Sequence, residues 1–354
     1  MTTLPPFPAP VHFMFRGRKP AWPDLFDGSP LPDPDTIPDR LIEVEECWVV
    51  HTFLRLRQAG LQATLSDGFR EDAINVVSYH DLALKDFPAL PFLVVAQADA
   101  ARPELCDRVV VQNGLNVRRS TDDFIPHWPQ PGLLPRDAGR GTRIETLGFK
   151  GSETNLYASF RSPELVAALR ERGVDLVFDV KEKTAPGALK WNDYRACDLV
   201  LAVRDAPEHD LELKPASKLV NAWLAGVPAL LGPEPAFQSL RRSELDYFEV
   251  RKPADVIAVI EKLKAEPGLY EAIVRNGLAR GADFTHPKVT ERWHEVLSGP
   301  AARDFSRWRA LPQPLRRAAR WALFGPRALL HVRNRKTYAA NFDRGYRPIS
   351  DRIT

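Results

Sequence analysis

Residues 214–232 of the chain read KPASKLVNAWLAGVPALLG, a run that predicts a loop, a helix and a buried strand. Ser217 is a favourable N-cap, and apolar residues recur at helical spacing up to Gly226, which suits a left-handed C-cap. Lys214 and Lys218 flank the helix start, where unpaired N–H groups and the positive end of the helix dipole point into the loop. We therefore expect a phosphate group to bind here.

Composition restricts the class of protein. The chain has 354 residues, of which 44% are hydrophobic and 27% charged, as expected of a soluble globular protein with two domains. No run approaches the roughly 20 apolar residues of a membrane span, and residues 1–10 lack the pattern of a secretory signal. The three cysteines, Cys47, Cys106 and Cys197, show no metal-ligand spacing. These features predict a cytoplasmic protein without a structural zinc.

The positive charge is concentrated in the tail. From residue 301 onward the chain has thirteen basic and three acidic residues, a net charge of +10, whereas the remainder carries −7. A nucleic-acid-binding protein usually has its basic patch on a folded domain, so we expect no nucleic-acid partner.

The tail also contains the pattern of a basic amphipathic helix. Two interpretations stay open: contact with an anionic membrane surface, or packing on the first domain with the arginines outward and the tryptophans inward. The residues predicted to share the apolar face are Leu315, Ala318, Ala319 and Ala322, with Arg316 and Arg320 apart from them.

Short apolar runs alternate with helical patterns through most of the chain, which predicts two α/β domains with parallel sheets. The irregular, proline-rich segment 124–141 is the best boundary between them, because prolines favour an extended connector. We predict an N-terminal domain at 1–140, a second domain at 141–297 and a basic helical tail at 298–354. The expected strands of the first domain are 11–15, 62–65, 73–79, 92–96 and 108–112, and its long helix is 38–60.

The second domain is predicted to be a doubly wound βαβ series. Its expected strands are 143–149, 175–178, 199–203, 227–231 and 248–250, and its expected helices are 162–173, 217–226, 236–242, 253–266, 269–281 and 287–297.

Ligands of such sheets bind beyond the carboxyl ends of the strands. Those ends are predicted at Lys150-Gly151, residues 179–181, Arg204 and the loop 214–217. Gly151 permits close approach of a phosphate, and the basic side chains neutralise a diphosphate. The alternative is that they are ordinary solvated residues on loops.

Two further residues are candidates for sugar and ribose contacts. Asn221, one turn into the helix, is placed to hydrogen-bond a ribose hydroxyl. Glu234, just beyond Gly232, either accepts hydrogen bonds from sugar hydroxyls or starts the next helix.

The sequence from 143 to 297 resembles the donor-binding half of GT-B-fold glycosyltransferases. The likeness lies in the order strand, glycine loop, and then the run from Lys214 to Gly232. Many retaining members carry a Glu-x7-Glu element whose second Glu precedes Ala-x-Ala-x-Gly-x-Pro, and residues 221–228 match that tail. Asn221 stands in place of the second Glu, and Leu213 in place of the first.

The resemblance implies two Rossmann-like domains facing across a cleft, with a C-terminal tail that crosses back. It implies a nucleoside-diphosphate sugar as co-substrate on the second domain, an acceptor on the first, and no metal or other cofactor, since helix dipole and basic side chains stabilise the leaving diphosphate. Asp33-Pro34-Asp35 fits an Asp-x-Asp pattern, but it lies in a proline-rich segment typical of a surface turn.

The candidates for acid–base chemistry lie in the first domain. His80 and Asp81 directly follow the strand ending at Tyr79, and Asp99 follows the next strand in a similar way. His127, beside Trp128 in the connector, is a candidate for lining the cleft. The alternatives are a loop hydrogen bond for His80 and packing against prolines for His127.

These features predict a metal-independent glycosyltransferase that transfers a sugar to a hydroxyl acceptor, in bacterial surface-glycan or glycolipid assembly. The expected acceptor is a glycan or lipid-linked molecule, and the protein is expected in the cytoplasm, peripherally on the membrane. Two alternatives stay open. A non-catalytic nucleotide-sugar or glycan binding protein agrees with the missing Glu pair, and a sugar-nucleotide epimerase of the same fold needs an acidic and histidine cluster around the sugar.

Overall fold

The computed structural model describes residues 4–87, 91–151, 155–179 and 191–344, with only the backbone for the last four. The described chain forms two compact units. Unit 1 contains the residues up to His127 together with His286–Arg344, and unit 2 contains Trp128–Thr285. The tail therefore crosses back to the first unit, as predicted. The unit boundary at 127 precedes the predicted one at 140, and the helix after 286 lies in unit 1 and not in the second domain.

Each unit contains one parallel sheet, which confirms the α/β class. The order is β2-β1-β3-β4-β5-β6 in unit 1 and β11-β10-β9-β7-β8 in unit 2. The strand β6 is a short sixth strand that the sequence analysis did not predict. The strands are β1 Val11–Met14, β2 Ala63–Ser66, β3 Ile74–Ser78, β4 Phe92–Ala96, β5 Arg108–Val111, β6 Asp122–Phe124, β7 Thr146–Lys150, β8 Asp175–Asp179, β9 Leu199–Ala202, β10 Ala229–Leu231 and β11 Phe248–Glu249.

Helices cover these sheets, and a four-residue helix, α3, is an addition to the predicted set. The helices are α1 His51–Gln58, α2 Pro163–Glu171, α3 Glu208–Leu211, α4 Ser217–Ala225, α5 Pro235–Leu240, α6 Pro253–Ala265, α7 Pro267–Gly281, α8 His286–Ser298, α9 Pro300–Ala310 and α10 Gln313–Arg344. Among the described residues, none of the helices combines the length and the apolar character needed to cross a membrane.

Helix α4 lies where the sequence predicts it, between loop and strand. Gly226 adopts the left-handed conformation with φ of 68°, and the amide of Val227 donates to the carbonyl of Ala222. Trp223 packs against α7 so closely that a Cβ at Gly277 would lie 2.9 Å from its ring. The predicted N-cap is wrong by one residue: Ala216 occupies the cap without a side-chain hydrogen bond, because the helical conformation already includes Ser217.

The connector is bound to unit 2 through a buried carboxylate, which is why residues 128–140 do not belong to unit 1. Asp198 is fully buried and accepts hydrogen bonds from Arg136 and Arg140, each at 2.7 Å, and from the amide of Glu145 at 2.8 Å. Burial alone would raise the pKa of Asp198, but the hydrogen bonds from Arg140 and its neighbours outweigh burial, so the pKa is lowered. The hydroxyl of Tyr270 donates to the Asp198 carbonyl.

The first long helix of unit 1 begins later than the predicted residue 38. A π-helical turn, Glu46–Val50, precedes α1. The buried Glu46 carboxylate accepts hydrogen bonds from the amides of Ile42 at 3.1 Å and Glu43 at 2.9 Å, and from the indole of Trp22. These bonds hold the chain before residue 44 in a non-helical conformation.

Helix α10 is present and packs on unit 1, as one of the two interpretations predicted, but the outward arginine and inward tryptophan of that interpretation are wrong at residues 320 and 321. Arg320 is 2% exposed and Trp321 is 63% exposed. The Arg320 guanidinium donates to the Asp107 carboxylate at 2.6 Å and to the Pro91 carbonyl at 3.0 Å, and lies 4.2 Å from the ring centroid of Trp308. An ion pair and a stacked aromatic ring make burial of the arginine favourable, and the tryptophan consequently faces outward. Residues 345–354, including Tyr346, lie outside the described residues.

Candidate active site

The strand order of unit 2 indicates where a ligand would bind. From β7 the chain moves to β8 at one edge of the sheet, and then to β9 on the opposite side of β7. A topological switch point forms where the connections from two neighbouring parallel strands run to opposite sides of the sheet. Crevices at the carboxyl ends of the strands open there. Lys150 ends β7, and Arg204 follows β9 by two residues. The predicted basic strand ends are thus neighbours in the sheet.

Lys150 is buried and already paired. Its Nζ lies 2.5 Å from an Asp179 carboxylate oxygen, donates to the carbonyl of Asp193, and lies 4.9 Å from the ring centroid of Tyr194. Asp179 ends the adjacent strand β8, so its carboxylate lies next to Lys150 and neutralises it. Lys150 is therefore a fixed structural cation at the edge of the crevice.

Lys218 reaches the same place from the first turn of α4. Its ammonium donates to the carbonyl of Lys150 and lies 5.1 Å from the ring centroid of Phe149. A Cβ at Gly151 would lie 3.1 Å from Lys218 Nζ, so glycine leaves the space that this side chain uses. Lys218 as a whole residue is half-buried. Burial, followed by repulsion from Arg204, lowers the pKa of Lys218 to about 7.

Arg204 and Glu234 form an ion pair beside Lys218. Glu234 is 2% exposed, and its Oε2 accepts a hydrogen bond from Arg204 Nη1. The second oxygen, Oε1, is buried with no hydrogen-bond partner among the described residues. Burial raises the pKa of Glu234, although the positive charges of Arg204 and Lys218 oppose that shift. Glu234 is also the N-cap residue of α5, which confirms the predicted helix start, while its contact with sugar hydroxyls stays a prediction.

The four groups leave an electrostatic imbalance. Lys150 is matched by Asp179, but Arg204 and Lys218 share one carboxylate, Glu234. A buried excess of positive charge is unfavourable unless an anion neutralises it. The arrangement, beside a helix N-terminus, is suited to an anion.

The remaining predicted donor-site residues are Lys214, Asn221 and Ser217. Lys214 lies 3.1 Å from the carboxylate of Asp210 on α3, which neutralises it. Asn221 is buried, and its side-chain oxygen accepts a hydrogen bond from the backbone amide of Gln130 at 3.0 Å. The NH₂ group of Asn221 is therefore the part suited to a ribose oxygen. Ser217 is the first residue of α4. Residues 180–181 of the predicted strand end at 179–181 lie outside the described residues.

In unit 1 the predicted acid–base residues lie at that sheet's own switch point, between β1 and β3. The Asp81 carboxylate accepts a hydrogen bond from the Arg16 amide at 2.9 Å, and the Arg16 guanidinium contacts Asp86 at 2.8 Å. Burial raises the pKa of Asp81. His80 is exposed, with its ring edge-on to Tyr79 at 5.6 Å. Sequence reasoning missed Arg16, although its position directly after a strand was a usable signal.

His127 belongs to a group of aromatic residues in unit 1. Its ring lies edge-on to Trp48 at 5.5 Å, and its charge acts on the buried His51, which also faces His286 at 5.7 Å. Burial first, and then Arg55 and the two other histidines, lower the pKa of His51 well below its usual value. Asp99, the other strand-end carboxylate, binds Gln112 through its side chain and Tyr338 through its carbonyl.

Within the described residues, no group of three or more histidine, cysteine or acidic side chains is arranged to hold a metal ion. Metal-independence of the reaction stays a prediction.

Comparison with known proteins gives structural likenesses only. No protein-family model matches the chain, and no curated protein is significantly similar to it in sequence. Its fold is similar to that of GT-B glycosyltransferases, including HepE of Anabaena in complex with UDP and glucose, with 13% identity, a TM-score of 0.49, and coverage of 82% of this chain and 99% of HepE.

Two further likenesses are weaker. Sucrose-phosphate synthase from Thermosynechococcus elongatus has 12% identity, a TM-score of 0.44, and coverage of 65% of this chain and 74% of its own. A pneumococcal O-GlcNAc transferase, GtfA, solved with UDP and GlcNAc, has 11% identity, a TM-score of 0.44, and coverage of 71% and 59%. At these TM-scores we base no conclusion about function on them.

Proposed function

We propose that this protein is a glycosyltransferase that moves a sugar from a nucleoside-diphosphate sugar to a hydroxyl acceptor. The donor diphosphate binds at the switch point of unit 2, between β7 and β9. The acceptor is a glycan or a lipid-linked hydroxyl compound, the setting is the cytoplasm, and the pathway is bacterial surface-glycan or glycolipid assembly.

One observation supports the donor site above the others. Lys218 and Arg204 place two basic groups around the single carboxylate of Glu234, and one oxygen of that carboxylate has no partner in the part of the chain that the structure describes. A bound diphosphate supplies the missing negative charge. Sugar hydroxyls are donors of the kind that the second Glu234 oxygen accepts. The site is therefore suited to a ligand that carries both groups.

The transfer breaks the bond between the anomeric carbon and the diphosphate oxygen and forms one to the acceptor oxygen. The leaving diphosphate gains negative charge as that bond breaks, and Lys218, Arg204 and the N-terminus of α4 stabilise it. The acceptor hydroxyl loses its proton to a general base, for which Asp81 and His80 are the candidates. Asp81 has the raised pKa that suits this role.

A thermal-shift screen with UDP-, GDP- and TDP-sugars, and with CMP-sugars to show whether one phosphate is enough, tests the donor site. We expect one nucleotide class to raise the melting temperature, because a ligand that binds only the folded state stabilises it. If none of the four classes stabilises the protein, the donor site is refuted. Release of nucleotide from the stabilising donor is then measured with and without hydroxyl acceptors, and acceptor-dependent release supports transfer.

A non-catalytic nucleotide-sugar binding protein is the second candidate. Leu213 and Asn221 stand where retaining enzymes have glutamates, and the Asn221 oxygen is bound to the connector. Donor binding without any nucleotide release, across a panel of acceptors, is the outcome that favours this candidate. Release of an altered free sugar nucleotide would instead indicate epimerisation.

A further inference from the structure

The inner face of helix α10 is polar and tightly held. Arg327 donates to the Cys106 carbonyl at 2.8 Å, Asn334 to the Glu104 carboxylate at 3.1 Å, and the Tyr338 hydroxyl to the Asp99 carbonyl at 2.6 Å. With Arg320 on Asp107 and His331 near the Glu104 amide, the contacts recur every three, four or seven residues. They fasten one side of the helix to segment 99–107 of unit 1, so its rotation about its axis is fixed.

The outward face follows from that rotation. Residues of an α-helix advance by about 100° each, so positions 318, 322, 325 and 329 lie opposite the fastened side, with 315 nearby. These positions are Ala318, Ala322, Gly325, Leu329 and Leu315. Leu329 is 72% exposed and Leu315 56% exposed, and Trp321, on the flank, is 63% exposed. Such a row of exposed large apolar side chains is typical of an interaction surface.

The charge of this segment selects the partner. Residues 305–342 contain no aspartate or glutamate and nine basic residues. Two of the nine, Arg320 and Arg327, bind inward, whereas Arg317, Arg333, Arg335 and Lys336 are exposed. A second copy of the chain would bring the same positive charge to the contact, and repulsion would oppose it. An anionic surface has the complementary charge.

We propose that the outer face of α10, from Leu315 to Lys336, binds the surface of an anionic lipid bilayer. The helix lies in the plane of the interface over about 30 Å, given its rise per residue. Leu315, Trp321 and Leu329 enter the boundary between headgroups and acyl chains, and the basic side chains contact the lipid phosphates. This surface belongs to unit 1 and does not depend on the donor site of unit 2.

Co-sedimentation of the full chain with vesicles tests the proposal. We expect binding to phosphatidylcholine vesicles that contain phosphatidylglycerol, weak binding to pure phosphatidylcholine, and release by salt. The variant R333Q/K336Q should bind the anionic vesicles roughly 25-fold more weakly, at about fivefold for each charge. The control R170Q/R275Q removes two exposed arginines of unit 2 and should bind like the wild type.

A second pair of variants separates insertion from simple charge attraction. L315Q/L329Q should lose binding at least tenfold, whereas L278Q, which changes an exposed leucine on α7, should retain it. Circular dichroism melting curves verify that each variant is folded. Equal binding of wild type and R333Q/K336Q, or equal binding to neutral and anionic vesicles, overturns the proposal. Concentration-dependent dimers abolished by L315Q/L329Q, without vesicle binding, would assign the face to a second copy.

Discussion

Replacing Lys218 with methionine should stabilise the ligand-free protein while it removes donor binding. The ordinary lysine pKa of 10.5 falls to about 7 at this position, first because of burial and then because of Arg204. Each pKa unit corresponds to about 1.4 kcal/mol, so holding this group in the folded state at neutral pH opposes folding by at most about 4–5 kcal/mol. Because the residue is only half-buried, solvent screens part of this effect, and we expect about half, ~2 kcal/mol, to be recovered in Lys218→Met.

The gain should depend on pH in a defined direction. Below about pH 7 the lysine is charged in both states, and the folded protein bears the penalty in full; above pH 7 the folded lysine is neutral while the unfolded one still holds its proton, so the wild type gains stability steadily as the pH rises. As the pH rises toward about 10.4, the unfolded lysine also becomes neutral and the difference between the two proteins shrinks. Urea unfolding of both proteins at about pH 7 and about pH 10 measures this. Lys288→Met, at an exposed position, is the control and should change stability by less than about 0.5 kcal/mol.

The same variant has an opposite effect on the ligand. Loss of a charge-assisted contact to a diphosphate should weaken donor binding by about 1.5–3 kcal/mol, or roughly 12- to 160-fold in Kd. Titration calorimetry with the donor identified by thermal shift gives this number. A Lys218→Met protein that is less stable than wild type at pH 7, or a stability gain that does not change with pH, would refute the assignment of Lys218 as an uncompensated buried cation.

Three other predictions concern charged groups. Donor affinity of the wild type should fall as the pH rises above about 7, because bound diphosphate holds Lys218 protonated and free Lys218 deprotonates there; calorimetry in two buffers should show proton uptake. Asp198→Asn should destabilise the protein by about 3–5 kcal/mol in urea unfolding, since it removes the carboxylate that pairs with Arg136 and Arg140. The stability that Asp198 contributes is present above pH ~4 and should be lost as the pH falls through its lowered folded-state pKa. Arg320→Met should cost about 2–4 kcal/mol by breaking the pair with Asp107, while the exposed Arg317→Met should stay within about 0.5 kcal/mol.

Local patterns were sufficient for most of the fold. The alternation of apolar runs and helices predicted the parallel sheets, and Ser162 caps α2 by accepting a hydrogen bond from Leu165, as its position before a proline indicated. The missed elements are those whose stability is not local. Strand β6 carries Asp122 and Asp123, and these side chains are held by Arg102 and Arg108 from elsewhere in unit 1. Propensity alone gives such a segment no tendency to form a strand.

The faces of α10 were mispredicted for a related reason. Hydrophobic periodicity assumes that arginine faces water. Arg320 instead faces the carboxylate of Asp107 and the ring of Phe87, both more than 200 residues away in the sequence. No signal within residues 313–344 identifies those partners. The sequence predicted the helix from its local pattern, and the tertiary partners determined which side is buried.

The candidate site shows the same difference between features that follow from local sequence patterns and features that depend on tertiary contacts. Backbone-determined features, such as the strand ends at Lys150 and Arg204 and the start of α4, follow from βαβ patterning and were predicted. Side-chain pairing decides which of the basic residues is compensated, and that needed the structure: Asp179 neutralises Lys150 and Asp210 neutralises Lys214, whereas Lys218 shares Glu234 with Arg204. Four basic candidates that looked alike in sequence thus have different roles.

This pairing also explains why stability and binding should oppose one another at the site. A fully compensated set of charges would be more stable in the ligand-free protein, but it would leave no electrostatic need for an anion. Lys218 is held in an unfavourable state by the packing of α4, through Trp223 and the left-handed Gly226, and by the close approach that Gly151 permits. Binding of a diphosphate releases that unfavourable energy as affinity. The melting-temperature increase on donor binding should therefore be larger in the wild type than in Lys218→Met, even though the variant begins from the higher melting temperature.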